Sequence, residues 1–222
     1  MNILAIDTAT EICSVALRID GEWSSREVLT QRSHAELVLP MVAELLREAS
    51  LTLRDLDCIA YGRGPGAFTG VRVAVGVVQG LAFGARRPTV GISNLAAVAY
   101  QVMQPDALVL VCMDARMSEV YTASFSAQPD GGLELHSAER VLAPSEVEDP
   151  IAGRNRAMIL AGTGFRAYPE LRARYPDLPV HDAVLPHARD IAALAQIELE
   201  AGRALPAANV KPTYLRDKVT FG

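Results

Sequence analysis

Few side chains in this 222-residue sequence have the spacing of catalytic or metal-binding groups. The four histidines are scattered, and the closest two, His181 and His187, lie on either side of Pro186, a poor arrangement for a metal pair. The cysteines at positions 13, 58 and 112 lie inside apolar runs and are predicted to be reduced core residues. Neither His-Glu-x-x-His nor Gly-x-Ser-x-Gly occurs, so the sequence does not indicate a peptidase.

Two aspartates are the best-placed charged groups. Asp7 ends the first apolar strand, and Asp114 ends the apolar strand that opens the second half of the sequence. Asp7 can cap the backbone of the hairpin that follows it. Arg116 can meet an anion with its planar guanidinium. Gly162-Thr163-Gly164 is a weaker candidate for a binding loop, because an isolated Gly-x-Gly is as often an ordinary turn.

The segment Tyr61–Arg72 is the most informative part of the sequence. Glycines and a proline dominate it, so backbone geometry shapes this loop more than side chains do. Gly76, Gly80 and Gly84 then recur every four residues, which on a helix forms a smooth stripe that another helix can approach closely. The alternating valines of 71–77 permit a strand as the alternative, but the apolar run is long for a strand, and we expect a helix.

Composition restricts the class of protein. Half of the residues are hydrophobic and the net charge is −5, which predicts a globular protein and argues against a free-standing nucleic-acid binder. Contact with nucleic acid through a partner remains open. The glycine-rich apolar run ends at Arg86-Arg87, short of the roughly 20 residues that a bilayer requires, so we expect no membrane span. Met1 leads directly into an apolar strand without a basic leader, and we expect a cytoplasmic protein.

The predicted elements follow the same order twice: three strands, a helix, a fourth strand and a second helix. Asp20-Gly21 is a strong turn signal between the second and third strands. Ser33 and Glu36 have the spacing of a capping box before the first helix. The predicted strands are 1–6, 12–19, 22–29, 57–61, 89–92, 107–113, 119–126, 133–141 and 158–161. The predicted helices are 34–50, 71–84, 94–103, 165–174 and 187–201. Residues 148–156 are predicted to be a loop and 211–216 an extended tail.

This repeated plan resembles the superfamily of actin, Hsp70 and the sugar kinases. The resemblance implies an α/β protein with the actin-like ATPase (ribonuclease H-like) fold, in two lobes that each contain a mixed five-stranded sheet and flanking helices. We expect the lobes to be residues 1–104 and 105–222. The superfamily binds ATP phosphates at its hairpin turns, which implies a degenerate nucleotide site here at Asp7, Thr8, Thr10, Asp114, Arg116, Gly162 and Gly164. Ala9 replaces the usual glycine of the first phosphate loop, which weakens this site.

A closer resemblance is to the bacterial TsaB (YeaZ-type) family, which belongs to the complex that makes N6-threonylcarbamoyladenosine in tRNA. The residues that carry it are Ile6-Asp7-Thr8-Ala9-Thr10, Gly64-Pro65-Gly66-Ala67-Phe68-Thr69-Gly70-Val71-Arg72, Asp114-Ala115-Arg116 with Glu119-Val120-Tyr121, and Pro212-Thr213-Tyr214-Leu215-Arg216. It extends over nearly the whole chain. It implies a non-catalytic subunit that supports the TsaD-type catalytic subunit on tRNAs reading codons that start with adenine.

The resemblance also implies partners and an interface. The chain would form a homodimer when alone, exchange it for a heterodimer with the TsaD-type subunit, and meet a TsaE-type ATPase and, indirectly, tRNA. No cofactor would bind tightly, and ATP or ADP is a candidate only at the partner interface. The implied contact uses the first helix and the glycine-striped helix, through His34, Leu37, Val38, Met41, Leu45, Arg72, Val73, Gly76, Val77, Gly80 and Gly84.

The metal ligands of the TsaD-type paralogue have no counterpart in this sequence. Asn94 and Val98 stand where that paralogue has two histidines four residues apart, and neither is a good metal ligand. No catalytic residue and no metal site are therefore expected. The alternative is an autonomous actin-fold ATPase or small-molecule kinase that uses Asp7 and Asp114 near the phosphates.

Overall fold

The computed structural model describes residues 1–30, 32–150 and 157–216. They form two compact units, one made of Met1–Ala97 with Pro186–Thr213 and the other of Val98–Leu185 with residues 214–216. The structure therefore differs from the expected division between residues 104 and 105. The long C-terminal helix packs on the first sheet, which returns Pro186–Thr213 to the first unit. Part of the loop predicted at 148–156 lies outside the described residues.

The first unit contains a five-stranded mixed sheet. Its strands are β1 (Asn2–Asp7), β2 (Ile12–Ile19), β3 (Glu22–Leu29), β4 (Cys58–Gly62) and β5 (Thr89–Ile92), in the order β3-β2-β1-β4-β5. Its helices are α1 (His34–Glu48), α2 (Phe68–Ala85), the first turn of α3 (Asn94–Val102) and α6 (Ala188–Glu200). β1 runs antiparallel to β2 and parallel to β4. The predicted turn between β2 and β3 is present, with Asp20 and Gly21 both at positive φ.

The second unit repeats this topology. Its strands are β6 (Ala107–Asp114), β7 (Val120–Ala127), β8 (Leu133–Leu142), β9 (Ala157–Ala161) and β10 (Val180–His181), in the order β10-β9-β6-β7-β8. The predicted helix 165–174 is two short helices, α4 (Gly164–Ala167) and α5 (Pro169–Ala173). Tyr168 separates them with a non-helical ψ of 89°, because a residue before proline disfavours the helical region. The two-residue β10 was too short to predict.

The two faces of the first sheet have different roles. Leu4 and Ile6 of β1 join the core that also contains the buried residues of α1 and α2. Side chains alternate along a strand, so Asp7 and its cross-strand neighbour Ser14 share the opposite face. On that face the backbone N–H of Ala188, at the start of α6, donates to Ser14 Oγ at 2.9 Å. Helices therefore cover both faces of the sheet.

α1 and α2 confirm the predicted helices but not every local detail. The predicted capping box of α1 is wrong, because Ser33 makes no side-chain cap bond. The segment predicted at 71–84 lies wholly within the helix Phe68–Ala85, which decides against the strand alternative. Among the described residues, α2 is the one helix long and apolar enough to cross a membrane, yet it packs on β4 and β1 as a core helix does. All three cysteines are free and buried, as predicted.

Candidate functional site

The exposed face of α2 is open over the whole glycine stripe. A Cβ added to Gly76, Gly80 or Gly84 would meet no atom within 4 Å. Phe83, beside the stripe, has 76% of its surface exposed. The opposite face of α2 lies against the first sheet through Ala74, Val78 and other buried residues. The helix thus buries one apolar face in its own unit and leaves a second apolar face uncovered.

The residues predicted for an interface on α1 require a correction. Val38, Met41 and Leu45 are at most 6% exposed and belong to the core of the first unit, so their side chains cannot face a partner. The helical stripe seen in the sequence was the core face of α1. The exposed face carries Leu39, at 47% exposure, which lies beside the exposed residues Ala35, Glu36 and Ala43 and was not among the predicted interface residues.

The remaining interface candidates are half-buried or exposed. His34 is half-buried, and its Nε2 lies 2.8 Å from the carbonyl oxygen of Thr10. Leu37, Val73 and Val77 pack at the edge of the core. Arg72 is exposed, with its guanidinium over the ring of Phe68. The structure therefore leaves α2, rather than α1, as the main uncovered surface.

A buried hydrogen-bond network joins the end of β1 to the loop that leads into α2. Asn94 donates from Nδ2 to Asp7 Oδ1 at 2.7 Å and accepts at Oδ1 from the backbone N–H of Gly64 at 2.8 Å. The backbone N–H of Asn94 donates in turn to the carbonyl of Gly64 at 3.0 Å. Gly62 must lack a side chain, because a Cβ would lie 2.0 Å from Asp7 Oδ1. Asp7 is thus linked through Asn94 to the loop that leads into α2.

The loop itself covers the first hairpin turn. Thr8 Oγ1 donates to the carbonyl of Gly70 at 2.6 Å, and the N–H of Ala67 donates to the carbonyl of Ala9 at 2.7 Å. A Cβ on Gly66 would lie 2.5 Å from the oxygen of Ala9. Thr8 and Ala9 are consequently buried. The backbone of 66–70 therefore occupies the space beside the first hairpin turn.

Burial also sets the protonation of Asp7. Removal from water raises the pKa of Asp7 to about 6, although the Asn94 amide, the N–H of Ala9 and the charge of His187 act in the opposite direction. Asp190 in α6 behaves similarly, because burial raises its pKa to about 6. His187 lies 2.9 Å from Glu27 through Nδ1. Titratable groups therefore gather where α6 begins.

The second unit places its candidate residues differently. Asp114 accepts from Tyr168 Oη at 2.9 Å and forms an ion pair with Arg116, also at 2.9 Å. The Arg116 side chain is 84% exposed. Gly162 and Gly164 need no ligand to explain them, since a Cβ on either would lie within 2.8 Å of the carbonyl oxygen of Cys112. Thr10, in the first unit, is half-buried and accepts from the N–H of Ile12 at 3.4 Å.

The C-terminal tail contributes contacts that the sequence did not predict. The N–H of Thr213 donates to the carbonyl of Arg63 at 2.7 Å, and Thr213 Oγ1 accepts from the Arg63 guanidinium at 2.8 Å. Further along, Arg216 forms an ion pair with Glu119. The predicted extended conformation supplied no clue to either contact, because both join residues far apart in the sequence.

No group of three metal-binding side chains occurs within residues 1–30, 32–150 and 157–216. Asn94 is engaged by Asp7 and Gly64, and Val98 is fully buried in apolar surroundings. The residue types at these two positions therefore serve hydrogen bonding and packing.

Comparison with known proteins places this geometry in a family. A family model described as "TsaD: tRNA N6-adenosine threonylcarbamoyltransferase" matches residues 28–196. The chain is 38% identical over its whole length to "tRNA threonylcarbamoyladenosine biosynthesis protein TsaB" of Escherichia coli (strain K12), covering 97% of that protein. The chain belongs to the TsaB family. The TsaB protein of Haemophilus influenzae (strain ATCC 51907 / DSM 11121 / KW20 / Rd) is 39% identical over 100% of this chain and 96% of its own.

Solved structures agree with this assignment. "YeaZ from Pseudomonas aeruginosa" superposes with a TM-score of 0.87 at 42% identity and covers 96% of this chain and 99% of its own. A second crystal structure, titled as an uncharacterized protein with similarity to peptidase YEAZ from Pseudomonas aeruginosa, gives a TM-score of 0.88 at 43% identity, covering 97% and 99%. With two five-stranded sheets of matching order, the fold is the actin-like, ribonuclease H-like fold that the sequence predicted.

Proposed function

We propose that this chain is a non-catalytic scaffold subunit in the formation of N6-threonylcarbamoyladenosine in tRNA. Its TsaB relatives are named as biosynthesis proteins of this nucleoside, which supports a part in the same process. The chain would bind a TsaD-type catalytic subunit and support its reaction on tRNAs that read codons starting with adenine. A TsaE-type ATPase would be a further partner, and tRNA would be met through the assembled complex in the cytoplasm.

The uncovered glycine stripe of α2 carries this proposal. Its three glycines stand on an exposed helix face with no neighbour within 4 Å, so another helix can approach its backbone closely. Phe83 adds a large exposed ring beside the stripe. Exposed apolar faces of this kind are typical of sites for protein association. Alone, the same face would pair with a second copy around a twofold axis.

The proposed absence of catalysis rests on the residue types present. Asn94 and Val98 occupy the positions where the TsaD-type paralogue is expected to hold its metal, and neither supplies an imidazole. We further propose that nucleotide does not bind tightly at the first hairpin turn, because Asp7, Thr8 and Ala9 are buried beneath 66–70. ATP or ADP would bind only where the partner completes a site.

The test is to place a large side chain on the stripe. Gly80→Leu adds an isobutyl group at the point where helices would cross, and the open surroundings leave the fold intact. We expect it to abolish both homodimer formation and binding to a purified TsaD-type subunit, measured by light scattering. Ala201→Leu adds a leucine side chain at the exposed end of α6 and is the matched control. Normal pairing by Gly80→Leu would locate the interface elsewhere.

The autonomous ATPase or kinase is separated by a second measurement. As an autonomous ATPase or kinase, the purified chain would hydrolyse ATP without any partner, and Gly80→Leu would not change the rate. Under the scaffold proposal, ATP turnover stays at background in the isolated chain. Turnover that disappears in Asp114→Asn would favour the enzyme, because Asp114 is the candidate carboxylate of the second unit.

A further inference from the structure

Asn94 belongs to the hydrogen-bond network that joins the end of β1 to the loop 62–70, and this loop leads into α2. It is fully buried at the first residue of α3 and bonds through its side chain to both Asp7 and Gly64. Gly64 belongs to the loop that runs directly into α2. The carbonyl of Gly70, in the first turn of α2, is held by Thr8 in the hairpin turn that follows Asp7. A single network therefore spans from the end of β1 to the start of α2.

The chemistry of this position selects a carboxamide. Asp7 offers only acceptor oxygens when ionised, and the N–H of Gly64 is only a donor. One side chain must donate to the first and accept from the second, which fixes the orientation of the Asn94 amide. A carboxylate would oppose Asp7, and a histidine would be too large beside Gly62, where an added Cβ already lies 2.9 Å from Asn94 Nδ2.

We propose that Asn94 is a positioning residue for the partner-docking surface, acting through Asp7 and Gly64 to set where α2 begins. This inference rests on the proposed function of α2 as the docking helix. Asn94 itself contacts no partner in this scheme. Its two side-chain bonds fix the start of loop 62–70, while Thr8 and Ala9 fix its end, so the exposed stripe is presented in one orientation.

The network allows an exchange of its two side chains. In the double variant Asp7→Asn/Asn94→Asp, the new amide at position 7 would donate to the new carboxylate at position 94, which would still accept from the N–H of Gly64. The carbonyl oxygen of that new amide would still accept from the N–H of Ala9, which lies 3.4 Å from Asp7 Oδ2 in the structure. The hydrogen bonds to Ala9 and Gly64 and the bond between positions 7 and 94 are retained, and the net charge is unchanged. Asn94→Asp alone instead places two carboxylates at hydrogen-bond distance.

The experiment measures affinity for a purified TsaD-type catalytic subunit per folded molecule. We expect Asn94→Asp to weaken binding at least tenfold at pH 7.5 and the double variant to restore it to within about threefold of the wild type. Amide hydrogen exchange of residues 62–70 is expected to accelerate in the single variant and to recover in the double. A solely structural role would lower thermal stability but leave the affinity of the folded fraction unchanged.

A second measurement, at pH 5.5, tests Asn94→Asp under conditions in which it is expected to fold. At pH 5.5 two adjacent carboxylates share one proton, so Asn94→Asp is expected to fold there and to regain part of its affinity. His187, the residue before α6, and Cys13 of β2 are the other titratable groups that interact with Asp7, and they are the same in every variant. Wild-type affinity for folded Asn94→Asp at pH 7.5, or failure of the folded double variant to bind, would overturn the proposal.

The two proposals fail in different ways. If Gly80→Leu binds the partner normally, α2 is not the docking helix and the proposed function fails. If Gly80→Leu abolishes binding while Asn94→Asp does not change it, the docking surface stands and only the role of Asn94 is refuted.

Discussion

For Gly70→Ala, helix propensity and the geometry of the structure predict opposite changes in the free energy of unfolding. Gly70 lies in the first turn of α2, and replacing an interior helical glycine by alanine ordinarily stabilises by about 1 kcal/mol. Here the added Cβ would lie 1.9 Å from the carbonyl oxygen of Thr8 and 3.1 Å from its carbonyl carbon. Both atoms belong to the backbone, so no flexible side chain can yield.

The expected cost follows from these contacts. Thr8 and Gly70 must separate by about 1 Å, and overpacking of this kind typically costs about 1–3 kcal/mol. The bond from Thr8 Oγ1 to the carbonyl of Gly70 would also be lost, at about 1 kcal/mol. After the gain in helix propensity, which offsets the lost hydrogen bond, we expect Gly70→Ala to lower the free energy of unfolding by about 1–3 kcal/mol.

Gly80→Ala is the matched control in the same helix. It has the same propensity gain and no atom within 4 Å of the new Cβ, so we expect stabilisation by up to about 1 kcal/mol. Urea unfolding is followed by the fluorescence of Trp23, the single tryptophan, which lies in β3 of the first unit. Because dimer formation raises apparent stability, the measurement is extrapolated to low protein concentration. Equal effects of the two substitutions would refute the close approach of Gly70 to Thr8.

Further predictions concern pH and the second unit. Because burial raises the folded-state pKa of Asp7 and of Asp190 to about 6 from 3.8, the protonated carboxyls stabilise the fold, fully below 3.8 and less as pH rises through 6. Unfolding free energy measured between pH 4 and pH 7 should therefore fall with rising pH, and Asp190→Asn should flatten the slope; an unchanged slope would contradict the shift. Gly162→Ala should destabilise by at least about 2 kcal/mol, because its Cβ would lie 2.5 Å from the oxygen of Cys112 at a φ of 101°. Gly131→Ala, at a φ of 82° in open space, should lower stability by only about 1 kcal/mol. Thermal denaturation of both variants measures this difference.

The predictable part of this fold came from patterns of short range. Alternation and turn residues located nearly all the strands, and the four-residue glycine period correctly favoured a helix over a strand. The broken helix at Tyr168 and the short β10 were missed. A single proline at position 169 can either begin a helix or interrupt one, and two residues carry no measurable periodicity.

The candidate site was less predictable, because an apolar stripe in a sequence does not show whether it faces the core or a partner protein. Val38, Met41 and Leu45 form a stripe that suits a core as well as an interface, and the structure places them in the core. The role of Asn94 was hidden for a different reason. Its partners Asp7 and Gly64 are distant in sequence, and only the sheet topology brings them together.

In the first unit, one arrangement of the backbone both covers the first hairpin turn and leads into α2. The backbone of 66–70 covers the hairpin turn at Thr8 and Ala9, because Thr8 Oγ1 donates to the carbonyl of Gly70 and the N–H of Ala67 donates to the carbonyl of Ala9. That same backbone continues without interruption into α2, whose glycine stripe is uncovered. The proposed docking role of α2 and the proposed lack of a nucleotide site therefore depend on the same contacts, because the bonds that fix the start of α2 also cover the hairpin turn.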